Sequence, residues 1–155
     1  DMGMAYHAIK NYEMAVQSYQ EALKCSPAEI WIIHHNIALA NFERNEYIEA
    51  IKNCDKAIES FNRYSRAFTT RGRAKFKINR IDEALQDLDL AVDFAPDYSE
   101  SYLYRGFVRF QIGDFYGAKS DFEKVAEIMG EETCPEVNQN LEIIGQLLRD
   151  SQNNL

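Results

Sequence analysis

The chain has 155 residues, of which 46% are hydrophobic and 27% charged, a composition that excludes a disordered or fibrous protein and is typical of a folded domain. No apolar stretch approaches the roughly 20 residues that span a bilayer, and no basic segment followed by an apolar one predicts a signal peptide. The formal net charge of -8 disfavours binding to nucleic acids and to anionic membranes.

The cysteine and histidine pattern favours neither metal binding nor catalysis. Cys25, Cys54 and Cys134 are far apart and lack the spacing of metal ligands, so we expect reduced thiols and a cytoplasmic protein. The adjacent His34 and His35 point about 100° apart on a helix and cannot easily share a metal. Phosphate-binding glycine loops and nucleophile motifs are also missing from the sequence. We therefore expect no enzyme activity, no cofactor and no metal site.

An internal repeat dominates the sequence. Ala50, Ala84 and Ala118 recur at one constant spacing, and Ala15 is an earlier copy that is displaced by a single position. Each alanine follows an aromatic or apolar residue by three positions. The small residues twelve positions before these alanines are Gly3, Ala38, Gly72 and Gly106. Small residues at both places let two helices of a pair approach closely, and each pair covers its apolar face only by stacking on its neighbours.

Further positions keep the same phase. Large or apolar residues lie four positions after each alanine, and Pro27 and Pro96 end the first and third copies. With these residues the sequence resembles the tetratricopeptide repeat family, whose 34-residue motif runs from an aromatic residue through Leu-Gly, Tyr, Ala and Phe to Pro. The resemblance implies an all-α fold, a right-handed α-solenoid of antiparallel helix pairs that binds a peptide or protein in its concave groove.

In chain order, we expect repeat units at 1–30, 31–64, 65–98 and 99–132. The first helix of the first unit is expected to be truncated, as in a fragment of a longer array. Residues 133–150, where Leu141, Ile144 and Leu147 recur at helical spacing, predict a C-terminal capping helix, and residues 151–155 predict a frayed tail. The turns inside the pairs are expected at Arg44-Asn45-Glu46, Asn79-Arg80 and Gly113-Asp114.

The family resemblance implies that the first helix of each pair lines the groove. On the second unit we expect His35 and Asn36 at this face, with Asn36 bonding the backbone of a bound peptide. On the fourth unit we expect Tyr104 and Phe107 to pack against its side chains.

The third unit is predicted to supply a cationic stripe. Arg66, Thr70, Arg73 and Lys77 fall within about 60° of one another on a helical wheel. Residues 61–81 contain seven Lys or Arg and no acid, although the chain as a whole is acidic. We therefore predict a partner with an acidic or carboxylate-bearing segment.

The groove residues can also be compared with those of a more specific function in the family, the binding of a chaperone C-terminus. Some tetratricopeptide co-chaperones hold the C-terminal carboxylate of a heat-shock chaperone with Lys and Asn from one unit, Asn from the next, and Lys and Arg from the third. Asn36 matches and Arg66 keeps the charge, whereas Met4 and Thr70 depart from the expected Asn and Arg. The clamp is therefore incomplete, and we predict a co-chaperone-like adaptor without assigning that ligand.

Two arginines invite a structural interpretation. Arg71 and Arg105 could bind an anion, but Asp87 and Asp121 follow them at one and the same separation along the chain. The two units without the arginine also lack the acid. We interpret both pairs as ion pairs between the helices of one unit, because a partly buried arginine needs a partner.

Two other functions stay open at this point. The first is a structural spacer or self-association module, which would form a homo-oligomer through exposed apolar patches. The second is nucleic-acid binding through the basic stripe 63–80, which the net charge and flanking acids such as Glu59 and Asp82 disfavour.

Overall fold

A computed structural model of the chain describes residues 2–25, 28–130 and 135–153, and these residues form helices joined by turns, without strands. Pro27 and Cys134 lie outside the described residues. The helices are α1 (Met2–Ala8), α2 (Tyr12–Lys24), α3 (Ile30–Glu43), α4 (Tyr47–Ser60), α5 (Ser65–Lys77), α6 (Ile81–Phe94), α7 (Ser99–Gln111), α8 (Phe115–Met129) and α9 (Pro135–Asn153). The predicted fold class, an α-solenoid built of helix pairs, is confirmed. In the described part of the chain, no helix is long and apolar enough to cross a membrane.

The helices belong to two compact modules. The N-terminal module is Asp1–Phe94 and holds α1 to α6, and the C-terminal module is Ala95–Leu155 and holds α7 to α9. Each helix in the N-terminal module packs on the next one, and α3 also contacts α5. We retain the repeat ranges 1–30, 31–64, 65–98 and 99–132 as a proposal, with α3 beginning one residue before the second range.

Glycine at the small position permits the close approach of the two helices in a pair. A Cβ atom added to Gly72 would lie 2.9 Å from Leu88 Cγ and 3.1 Å from the carbonyl oxygen of Ala84. At Gly106 an added Cβ would lie 2.8 Å from the ring of Phe122. These distances are shorter than van der Waals contact, so a larger residue would force the helices apart.

The turns within the pairs share one backbone feature. Lys10, Asn45, Asn79 and Gly113 all have positive φ, between 59° and 82°. After each of them, a backbone N–H bonds a carbonyl five residues earlier, as Arg80 does to Lys75 at 2.9 Å. Asn and Gly tolerate this left-handed conformation well, and lysine tolerates it less well.

Helix α9 packs on α8 in the C-terminal module. Val137 and Ile144 are fully buried, whereas Leu147 is 39% exposed. Helix α9 continues to Asn153 and so extends into residues 151–155, for which a frayed tail was predicted. Residues 154–155 lie outside the described part of the chain.

Candidate functional site

Helix α5 carries five cationic side chains and no acidic one, and they lie on two opposite faces. Arg71 and Lys75 are on one face. Arg66, Arg73 and Lys77 are on the other, which we call the α5 cationic face. Arg66 and Lys77 are exposed, and Arg73 is half-buried.

The first face is occupied by a network of ion pairs. The Arg71 guanidinium donates two hydrogen bonds to Asp87, at 2.9 and 2.6 Å, and one to Asp55 at 2.6 Å. Lys75 Nζ lies 2.8 Å from the same Asp87 carboxylate. Burial disfavours the charged guanidinium, but the bonds to Asp87 and Asp55 outweigh this effect and raise the pKa of Arg71. Arg71 and Lys75 therefore hold α4, α5 and α6 together.

The C-terminal module contains a similar network. Arg105 donates to both oxygens of Asp121, with the shortest bond at 2.7 Å, and Arg109 donates to Asp121 at 2.9 Å. Asp121 is buried. The structure thus brings together Arg71 with Asp87 and Arg105 with Asp121, as the sequence comparison proposed.

Sequence reasoning missed Lys75, Arg109 and Asp55. Lys75 and Arg109 occupy the same position in successive repeats, one helical turn after the two arginines. That recurrence was the available signal. Asp55 belongs to the preceding pair, so a comparison restricted to one pair could not reveal it.

His35 and Thr70 do not reach the exposed face on which they were predicted. They are 6% and 3% exposed, and His35 Nε2 lies 3.0 Å from Thr70 Oγ1. The Tyr64 hydroxyl lies 3.3 Å from His35 Nδ1. The contact between α3 and α5 covers both side chains, so they are corrected from groove ligands to packing residues beneath the α5 cationic face.

The electrostatics of His35 reflect this position. Burial lowers the pKa of His35 to about 4, and the nearby positive charges of Arg66 and Arg73 contribute to the shift. His35 is therefore neutral near pH 7. Arg73 is held in place because its guanidinium lies 4.5 Å from the centre of the Phe42 ring, a cation–π contact.

A cavity of about 240 Å³ lies between α1 and α3, and α3 in turn contacts α5. It is lined by Met4, His7, Ala8, Tyr19, Asn36 and Leu39. Asn36 thus borders open space, unlike its neighbour His35. Within the described residues, the buried Nε2 atom of His7 has no hydrogen-bond partner.

Tyr104 and Phe107 lie on α7 in the C-terminal module and are half-buried. Their rings contact each other with centroids 6.1 Å apart, and Phe107 also packs edge-to-face on Phe122 at 5.4 Å. Phe107 therefore contributes to the packing of its own helix pair. Among the residues that the structure describes, no group of three His, Cys, Asp or Glu side chains could hold a metal ion.

Comparison with known proteins gives partial matches in sequence. The tetratricopeptide repeat family model matches residues 1–29. Hsp70-Hsp90 organizing protein 2 of Arabidopsis thaliana is 32% identical over 81 residues, which cover 48% of this chain and 14% of the relative. Small glutamine-rich tetratricopeptide repeat-containing protein 2 of Saccharomyces cerevisiae is 37% identical over 68 residues, which cover 44% and 19%. The chain spans less than a fifth of either relative.

Solved structures match over most of the chain. The first TPR of Spaghetti (RPAP3) bound to the HSP90 peptide SRMEEVD is 28% identical, with a TM-score of 0.72, and the match covers 77% of this chain and 93% of that one. A crystal structure of MamA is 21% identical, with a TM-score of 0.79, and the match covers 97% and 87%. The likeness to MamA shows the fold alone.

Proposed function

Because the chain belongs to the tetratricopeptide repeat family, we propose that it is a non-catalytic interaction module that binds an acidic or carboxylate-bearing protein segment on the α5 cationic face. The proposed site comprises Arg66, Arg73 and Lys77, with Asn36 and the cavity between α1 and α3 as a neighbouring part. His35 and Thr70 support it from below.

The separation of charges on α5 is the observation that carries this proposal. Asp55 and Asp87 neutralise Arg71 and Lys75 on one face. The other face carries Arg66, Arg73 and Lys77, and α5 itself contributes no acid beside them. Arg66 and Lys77 are exposed to a ligand, and the ring of Phe42 orients Arg73. Because Arg73 is already oriented by Phe42, it loses little conformational entropy when it binds a carboxylate.

The neighbouring cavity supports the peptide part of the proposal. The Asn36 amide, which lines the cavity, offers both a donor and an acceptor to a peptide backbone. The structure of the RPAP3 domain provides a precedent, because its bound peptide, SRMEEVD, is acidic. Tyr104 and Phe107 remain a proposal for contacts in the C-terminal module.

The test compares two double variants of equal charge change. Arg66→Ala with Lys77→Ala alters the α5 cationic face, and Lys52→Ala with Lys56→Ala removes two exposed cations from α4. Binding of the peptide SRMEEVD is measured by isothermal titration calorimetry after circular dichroism shows equal helicity. We expect the α5 variant to bind about tenfold more weakly, or ~1.4 kcal/mol, and the α4 variant to bind like the wild type.

A peptide in which both glutamates and the aspartate are replaced by their amides separates charge from other contacts. We expect it to bind weakly to all three proteins. Equal affinities of the two double variants for SRMEEVD would overturn the proposed site. Mass measurement by light scattering in the same samples tests the alternative of self-association, which predicts a mass that rises with concentration.

We also propose a cytoplasmic setting. Cys25 and Cys54 are free thiols, and Cys54 is fully buried. Free cysteines persist where the thiol pool is reducing, which supports an intracellular location.

A further inference from the structure

Four aromatic rings form a row between the N-terminal part of α3 and the connection from α4 to α5. Trp31 lies at the start of α3, Phe61 follows α4, and Tyr64 precedes α5. The ring centroids are 5.6 Å apart for Trp31 and Phe61 and 6.1 Å apart for Phe61 and Tyr64. Tyr64 then packs edge-to-face on His35 at 5.2 Å. We call these four residues the aromatic row.

One end of the aromatic row is buried and the other is open. His35 lies beneath the α5 cationic face, whereas Phe61 is 44% exposed and Trp31 is half-buried. Water contact with a large ring is unfavourable, so the open end can bury further apolar surface when a ligand binds.

The packing of helix pairs does not require rings at this place. The positions one repeat after Trp31 and Phe61 carry Ser65 and Ala95. Helix α5 nevertheless begins at Ser65, which is buried without an aromatic ring. Rings at these two positions are therefore not a general requirement of the helix pairs in this chain.

Positive charge lies close to the aromatic row. Arg63 is two residues from Phe61 and is held 5.2 Å from the centre of the Phe94 ring. Arg66 is exposed in the first turn of α5 and is close enough to Tyr64 to oppose the rise in its pKa that burial causes. The aromatic row thus connects directly with the α5 cationic face.

We propose that Trp31 and Phe61 form a subsite for an aromatic side chain of the acidic segment that binds the α5 cationic face. The inference rests on the proposed function and specifies its ligand as an acidic segment with an aromatic residue beside the acidic residues. An added ring packs on Phe61 in the tilted or edge-to-face geometry that aromatic pairs prefer, while Arg63 and Arg66 attract the neighbouring carboxylates. The net charge of -8 favours such a peptide over a nucleic acid, whose phosphates most of the surface would repel.

The chain offers a direct probe, because Trp31 is its single tryptophan. Two peptides are compared, each an acidic run of Asp and Glu preceded by glycine and one test residue, which is phenylalanine in the first and alanine in the second. Binding is followed by Trp31 fluorescence and by calorimetry. We expect the phenylalanine peptide to shift the Trp31 emission and to bind about three- to tenfold more tightly than the alanine peptide.

Variants locate the effect. Phe61→Ala and Phe61→Leu are expected to abolish the difference between the two peptides, and the leucine variant keeps most of the apolar volume. Ile48→Ala serves as the control, because Ile48 is a similarly exposed apolar residue on α4. It is expected to retain the full difference.

The outcomes distinguish this inference from the proposed function. Equal binding of both peptides, with both weakened by Arg66→Ala and Lys77→Ala, would overturn the aromatic subsite alone. Insensitivity of both peptides to that double variant would overturn the proposed function. If a uridine oligonucleotide displaces the phenylalanine peptide, the aromatic row binds nucleic acid instead. If the wild type has a doubled mass and Phe61→Ala has the mass of a monomer, the row binds a second copy of the chain instead.

Discussion

At the scale of single residues, Asp87 is the acid that pairs with two cations of α5. Its side chain is 4% exposed and contacts both Arg71 and Lys75. Asp87→Asn removes the charge and leaves those cations poorly compensated, so we expect a loss of about 3–5 kcal/mol in the free energy of unfolding. Urea denaturation followed by circular dichroism measures it.

Asp55 provides the matched control for that measurement. It also binds Arg71, but its side chain is 44% exposed and Arg71 keeps Asp87 when Asp55 is replaced. We expect Asp55→Asn to cost less than about 1 kcal/mol. Similar losses for the two variants would contradict the assignment of Asp87 as the central acid.

His35 predicts a pH dependence. Its pKa is about 4 in the folded chain, against an ordinary value of 6.5. Between these values the unfolded chain binds more protons at His35. The contribution of His35 to stability is therefore fully present above pH 6.5 and is lost as the pH drops towards 4, by roughly 3 kcal/mol at most. For His35→Gln we expect a smaller fall in the free energy of unfolding between pH 7 and pH 4.5, measured by urea denaturation. Parallel pH profiles for the wild type and His35→Gln would contradict this prediction. His34 also has a lowered pKa, but it is present in both proteins and does not affect the comparison.

The sequence predicted the ion pairs correctly but not the exposure of every residue on α5. Arg71 and Asp87 could be paired because the third and fourth units carry both residues and the other two units carry neither. A helical wheel also grouped Thr70 with Arg66 and Arg73, but the wheel contains no neighbouring helix. Since α3 covers Thr70, its angle on α5 did not predict its exposure.

At the scale of the elements, the helices were predictable because small residues mark each pair, and the turns were predictable only where Asn or Gly occurs. Asn45, Asn79 and Gly113, all placed in predicted turns, have positive φ. Lys10 has the same conformation and was missed because lysine is not typical of turns. The repeat phase could have revealed it, since Lys10 precedes Asn45 by the offset that separates Ala15 from Ala50.

The turn at Lys10 can therefore be improved. Lys10 has a left-handed backbone conformation, which is unfavourable for a residue with a Cβ atom. Lys10→Gly removes this strain, so we expect the free energy of unfolding to rise by about 1 kcal/mol. Gly113→Ala, at the equivalent turn, is expected to lower it by a similar amount. Thermal and urea denaturation of both variants provide the measurement, and a destabilised Lys10→Gly protein would refute the explanation.

At the scale of the whole molecule, charge decides which partners are compatible with the proposed site. The net charge is -8, while the α5 cationic face is locally positive. We expect the affinity for SRMEEVD to fall as salt rises from about 0.05 to about 0.5 M, because surface charges are screened over about 10 Å at 0.1 M. We expect a uridine oligonucleotide to bind at least about tenfold more weakly at about 0.15 M salt. Salt-independent peptide binding, or tighter oligonucleotide binding, would contradict this interpretation.

Arg71 also has a consequence for how the N-terminal module unfolds. Its guanidinium joins Asp55 on α4 to Asp87 on α6, so one side chain belongs to two successive helix pairs. In a repeat protein, cooperativity depends on the free energy that links neighbouring pairs. Opening of either pair breaks bonds that the other needs, and the amide protons of α4 and α6 should therefore exchange with solvent through a common opening event rather than independently.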